Sequence, residues 1–158
     1  MNETLLHYLI TFGLSMMPIG EIRGAILYGV NVAGLPLPWV FLISIIGNMI
    51  PIPFIALFIR RIFAWLRTKS KWLDNQVTKM EQKAHEKGKN VQKYKFFGLF
   101  IFVSFPLPGT GGWTGALIGA VLNMRLKHML PSIFVGIVSA GVITAIFSYG
   151  LDALFKFV

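Results

Sequence analysis

No cysteine occurs among the 158 residues, which excludes disulfide frameworks, thiolate metal sites and cysteine nucleophiles. Acidic side chains are nearly as scarce, with six Asp and Glu in the whole chain against fifteen Lys and Arg. Charged residues of both signs make up only 13% of the sequence. A soluble domain of this length leaves roughly a third of its surface in water and needs far more charge to cover it. Apart from Asp152 near the C-terminal end, the long apolar runs hold a single carboxylate, Glu21, and their histidines, His7 and His128, stand only at the margins. An acid/base pair or a metal-ligand set is not readily assembled from so little, so no enzyme activity and no metal site are expected.

What is present in excess is apolar. Hydrophobic residues make up 55% of the chain, and the mean hydropathy is +0.68, values that call for a bilayer as solvent. The formal charge of +9 is unevenly spread, since eleven of the fifteen basic residues fall between Arg60 and Lys95. A basic stretch beside an apolar span belongs on the cytoplasmic side, next to anionic headgroups, and does not point to nucleic acid. The expectation is a multi-pass protein of the cytoplasmic cell membrane with residues 67–95 in the cytoplasm. The run that follows Met1-Asn2-Glu3-Thr4 has no basic flank and no small-residue cleavage pattern before Gly24, and reads as mature structure.

Four apolar regions stand out: Leu5 to Gly34, Trp39 to Leu66, Phe96 to Met124, and Met129 to Val158. The second and fourth are long enough to span at about 20 residues per crossing. The first and third are broken in the middle, by Pro18-Ile19-Gly20-Glu21-Ile22-Arg23-Gly24 and by the stretch from Pro106 to Gly115. Irregular backbone at membrane depth survives only inside protein or beside water, so both read as re-entrant helical hairpins. With the basic loop inside, a re-entrant third region also returns Arg125 and Lys127 to the cytoplasm.

The expected fold is therefore an all-α integral membrane domain, 1–158, of two inverted repeats. Each repeat is a re-entrant hairpin plus a transmembrane helix (4–66 and 96–158), and a basic amphipathic helix at 67–95 joins them. Gly24-Ala25-Ile26 recurs as Gly115-Ala116-Leu117. In the linker, Leu73, Val77, Met80 and Ala84 share one side of a helix expected to end near Gly88. That side rests on the lipid surface or docks a partner or gate.

Charge in the broken regions is concentrated at Glu21 and Arg23. Ionised groups at membrane depth face protein or a watery cavity and need partners. Either the two form a mutual or cross-hairpin salt bridge that locks the fold, or Arg23 neutralises an anionic substrate while Glu21 handles a proton or orients the arginine. The stretch Pro106 to Gly115 holds four glycines and two prolines in ten residues and cannot be ordinary helix. One use is close packing; another is to bare N–H groups and begin a half-helix at Trp113 or Thr114 whose positive end faces inward. With a second half-helix starting at Ala25, that makes an anion site including Gly109, Thr110, Gly111, Trp113 and Thr114. Asn48, beside Pro51 and Pro53, which break the second region, either lines the cavity or bonds a neighbouring helix.

The blocks Gly20-Glu21-Ile22-Arg23-Gly24-Ala25, Gly47-Asn48-Met49-Ile50-Pro51 and Pro106 to Ala116 together resemble the small multidrug export protein family, over nearly the whole chain. That family looks distantly similar to the DedA proteins, which resemble transporters built on paired re-entrant hairpins and include carriers of polyprenyl phosphate lipids. The resemblance implies that Glu21, Arg23 and the Pro106 to Gly115 tip belong to a substrate path. The expected function is a secondary transporter or flippase for an anionic amphipathic substrate, a polyprenyl phosphate being the type case; the alternative is a proton-driven small multidrug exporter. No resident cofactor is expected, and coupling falls to a proton or sodium ion. Membrane lipid and a second copy of the chain, as a homodimer, are the expected partners. A purely structural subunit would not need a charged, glycine-rich break at membrane depth.

Overall fold

The computed structural model describes residues 3–94, 96–105, 107 and 109–157, with side-chain surroundings for those up to 88 and for 96–148 within that set. Pro106 and Pro108, two of the residues singled out above, lie outside it. The described residues form helices and short turns without a strand. In chain order the helices are α1 (Glu3–Met16), α2 (Glu21–Leu27, widening into a π-helical turn at Tyr28–Val32), α3 (Leu37–Met49), α4 (Pro51–Arg67), α5 (Lys71–Tyr94), α6 (Phe96–Ser104), α7 (Gly112–Val121) and α8 (Leu126–Phe157).

Two of these stretches are long and apolar enough to cross a membrane, Leu37–Arg67 and Leu126–Ser148. Only 22% of the most apolar part of the first is buried within the molecule, and Phe54, Leu57, Phe58 and Ile62 are exposed. The core helix of a soluble protein would hide those side chains, so lipid is their solvent and the chain is a membrane protein. The break expected at Gly47 to Pro53 is nearly absent. Ile50 keeps helical torsions and its N–H reaches Ile46 O at 3.2 Å. Pro51 stands at the first position of α4, where a missing N–H and a fixed φ fit the helix.

α8 orders the rest of the molecule along its length. Near its start, Ser132 Oγ donates to Phe96 O at 2.6 Å. One turn on, Gly136 lies so close to Val103 that an added Cβ would sit 2.7 Å from the valine Cβ. At Gly141 the neighbours become Ile22, Ile26 and Phe41. At Ser148, Oγ donates to Asn31 Oδ1 at 2.7 Å. The helix therefore passes first the α6–α7 pair and then the α1–α2 pair, over about 33 Å at 1.5 Å per residue from Leu126 to Ser148. His7 Nδ1 and Tyr28 Oη, 2.9 Å apart, bring the far ends of α1 and α2 together. At the opposite end Arg60 of α4 bonds Asn123, just after α7.

α7 closes with the N–H of Asn123 on Ala120 O and that of Met124 on Gly119 O. Asn123 takes the left-handed turn (φ 55°) that this capping pattern requires. The core between the helices is built from Ile22, Ile26, Ile52, Leu99, Val103, Ile118, Ile133 and Ile137. α5 differs from its expected form in two ways. It runs to Tyr94 without stopping at Gly88, and it packs on the α6–α7 pair: Gly88 abuts Leu122 and Ile118. Val77 and Ala84 are buried while Met80 is 46% exposed, so the expected apolar side is narrower than its spacing suggested.

Candidate functional site

Pro18 to Gly20, between α1 and α2, share a cavity with Leu107, Gly109 and Thr110, between α6 and α7, and the adjoining Gly112 lies against Ile137, about halfway along α8 from Leu126 to Ser148. α2 begins at Glu21 and not at Ala25, so Glu21 and Arg23 both lie in its first turn. Residues two apart on a helix do not face each other. Among the described residues the ion pairs are Arg67 with Asp74 and with Glu81, both in the basic segment. The mutual salt bridge considered for Glu21 and Arg23 is not formed; each charge instead binds backbone of the other pair.

Glu21 is buried, 7% exposed, with its backbone in the left-handed region (φ 47°), a conformation rarely held by a side chain of this size. Its carboxylate accepts the N–H of Gly112 at 3.1 Å and of Trp113 at 3.3 Å. These are orphan donors at the start of α7, and a negative charge there also meets the positive end of the helix dipole. Gly111 is what lets the carboxylate in, since a Cβ at that position would overlap it. Trp113 is fixed a second time by its indole, Nε1 donating to Met16 O at 3.1 Å.

Arg23 does the converse at the end of α6. Its Nη1 donates to Leu107 O at 2.9 Å, and Nη2 to Phe105 O at 2.7 Å and Val103 O at 3.3 Å, with Thr110 Oγ1 at 3.4 Å. A guanidinium fork suits such a fan of carbonyls, and its charge complements the negative end of α6. Thr110 Oγ1 lies 2.7 and 2.8 Å from the carbonyls of Phe105 and Leu107 and tightens the same turn. Gly109 (φ 78°) uses a conformation open to glycine. Its carbonyl accepts Lys87 Nζ of α5 at 3.1 Å. Arg23 Nε remains buried without a partner.

Asn48 is wholly buried, and neither atom of its amide has a partner. Its Oδ1 would stand 3.2 Å from a Cβ on Gly112, so the free amide borders the same first turn of α7 that holds Glu21. One turn earlier Ser44 Oγ is also buried and unpaired. Orphaned polar groups cost about 1–3 kcal/mol each, and they mark where a residue serves something other than packing. A cavity of about 260 Å³ opens beside the two turns, lined by Gly20, Glu21, Arg23, Gly109, Thr110 and Thr114 among others, with Ile19 at its rim 97% exposed.

The structure thus gathers Glu21, Arg23, Asn48, Gly109, Thr110, Gly111, Trp113 and Thr114 around one junction. Lys87, Ser44 and the Met16 carbonyl join them without having been foreseen. Ser44 carried a signal, being four residues before Asn48 on the same helical side. Lys87 carried none among so many neighbouring lysines, and a backbone carbonyl has no sequence signature.

The chain matches the model of a protein family described as "Putative small multi-drug export protein" over residues 21–143. No curated protein and no solved structure matches it.

Proposed function

The chain belongs to the small multi-drug export protein family, and from that premise we propose that it is a secondary transporter or flippase moving an anionic amphipathic substrate between leaflets, with a lipid phosphate such as polyprenyl phosphate as the type substrate. The observation that carries this reading is the start of α7: two backbone donors, the dipole of a ten-residue helix and the nearby Arg23 charge converge beside a cavity large enough for a phosphate-sized headgroup. An organic cation would meet Arg23 there and, once Glu21 is protonated, the positive end of α7. The exposed Ile19 rim and an apolar groove of about 540 Å³ between α3 and α8 support an amphipathic substrate over a free ion.

In this proposal α1–α2 and α6–α7 are re-entrant hairpins entering from opposite faces of the cytoplasmic membrane, the second from the cytoplasm. Three features support it: the contact between Glu21 and Gly112, 91 positions apart; the recurrence of Gly24-Ala25-Ile26 at Gly115-Ala116-Leu117; and the ordering along α8. Inverted hairpins around a midplane site are the plan of many secondary transporters. A second copy of the chain would cover the exposed rim, which makes a homodimer the proposed assembly, and a proton carried by Glu21 is the proposed coupling ion.

The family's printed name favours a second reading, proton-driven export of cationic or neutral drugs. Vesicles reconstituted with Arg23→Ala and Glu21→Ala variants separate the two. The lipid-phosphate reading expects Arg23→Ala to abolish flipping of a fluorescent polyprenyl phosphate. Wild-type flipping by that variant, with drug efflux lost only on removal of Glu21, would establish the second reading instead.

A further inference from the structure

We propose, resting on the anion-transport reading above, that the first turn of α7 is one anion site used alternately by the Glu21 carboxylate and by the substrate's tetrahedral oxyanion, with Asn48 receiving Glu21 when it is displaced. The present arrangement is the substrate-free half of that cycle. The N–H groups of Gly112 and Trp113, which would hold a phosphate, are taken by the protein's own carboxylate at 3.1 and 3.3 Å. The second observation is Asn48, wholly buried, unpaired at both amide atoms and directed at Gly112. Its free Oδ1 is an acceptor without a donor, and a protonated carboxyl is a donor with nothing to give to at the α7 amides.

The exchange balances. A solvent proton bonds to one Glu21 oxygen, the neutral carboxyl leaves the two N–H groups, and its O–H donates to Asn48 Oδ1. The incoming oxyanion then accepts from Gly112 and Trp113, while the unpaired Nε of Arg23, a residue of the cavity lining, and the Asn48 Nδ2, buried against Gly112, are further donors. One negative charge replaces another, so the substrate-free and substrate-bound states carry the same compensation of the partly buried Arg23 charge. Among the described residues, the charged groups near the carboxylate are Arg23 on its own helix and Lys87 of α5, whose ammonium is held at the cavity edge by Gly109 O. The end of α1 brings the Met16 carbonyl and no titratable group, its Ser15 hydroxyl donating to Phe12 O, and α3 brings Asn48 and Ser44.

Exchange of this kind requires one proton to be taken up for each anion bound. The test uses the full-length protein in neutral detergent, with isothermal calorimetry at mildly acid and mildly alkaline pH in buffers of different ionisation enthalpy. The probes are decyl sulfate and inorganic sulfate, oxyanions that do not titrate in this range, so that any proton taken up belongs to the protein. The wild type is expected to bind decyl sulfate about tenfold more tightly for each unit of falling pH while the carboxylate is ionised. Glu21→Gln, which keeps the shape of the side chain, is expected to bind at every pH with no proton uptake. Asn48→Leu is expected to weaken binding at acid pH by about tenfold or more, for loss of the group that receives the displaced carboxyl. Binding of the ester alone would assign a lipid headgroup, and equal binding of inorganic sulfate a free anion. Wild-type binding without proton uptake, or identical uptake by Glu21→Gln, would overturn the exchange while leaving anion transport standing. No binding of either probe at any pH would overturn both.

Discussion

At the residue scale, the contact most exposed to test is the approach of Glu21 to Gly111. The carboxylate reaches the first amides of α7 only because position 111 has no Cβ. Gly111→Ala is therefore expected to push the carboxylate off, costing about 1–3 kcal/mol by overpacking and reducing transport to the level of Glu21→Ala. Adding Glu21→Ala to Gly111→Ala removes the clash, so the double variant should recover much of the stability but none of the transport. Thermal melting in detergent beside vesicle flux reads both quantities, and non-additive stability is the signature of the contact. Additive losses would mean that the two residues act separately. Asn48 points the other way. Asn48→Leu removes two orphaned polar atoms from a buried position, so the protein is expected to melt higher, by the equivalent of about 1–3 kcal/mol, while transport falls. A site kept at the expense of stability behaves in that manner.

At the element scale, α6 and α8 meet through a glycine. A Cβ on Gly136 would lie 2.7 Å from the Cβ of Val103 and 3.2 Å from Phe100 O, with backbone on one side and a branched side chain on the other. Gly136→Ala is expected to destabilise by about 1–3 kcal/mol, and Gly136→Ala with Val103→Ala to recover part of it, as read by melting. The recovery matters because Val103 also offers its carbonyl to Arg23, so this packing sets where the end of α6 presents itself. Much of this layout was legible beforehand. The interruptions at Pro18 to Gly24 and after Phe105 are visible as polar and glycine-rich breaks in apolar runs, and the start of α7 falls within two residues of the expected Trp113 or Thr114. The start of α2 was less legible, because Glu21 and Arg23 look like part of the break when their cross-molecule partners are unknown. Those partners are carbonyls and amides 80 to 92 positions away, which no local pattern encodes. The packing of α5 was hidden for a related reason, since its lysine-rich composition reads as a solvated connector while Val77, Ala84 and Gly88 supply a narrow strip that only the fold shows to be buried.

At the scale of the whole molecule, the order of contacts along α8 supports the proposed topology. His7, Tyr28, Asn31 and Ser148 gather at one end, and Arg60 with Asn123 at the other. The roughly 33 Å between Leu126 and Ser148 is close to the hydrocarbon thickness of about 30 Å. If the chain crosses as proposed, the first end is outside and the second lies in the cytoplasm with the basic segment. The absence of native cysteine makes this directly measurable. Single cysteines at Glu3, Pro36, Ser70 and Asn123, probed in intact cells with an impermeant thiol reagent, should label from outside at Glu3 and Pro36 and only after permeabilisation at Ser70 and Asn123. Asn123 is the informative position. Were α6 and α7 parts of one continuous crossing, Asn123 would label from outside together with a protected Ser70. The α7 start would then belong to an ordinary span whose first amides face no cavity from the opposite leaflet. Protection of Asn123 with labelling of both Glu3 and Pro36 would require α1–α2 and α6–α7 to return to the faces they entered, the proposed arrangement in which Glu21 and Arg23 of one pair reach the helix ends of the other.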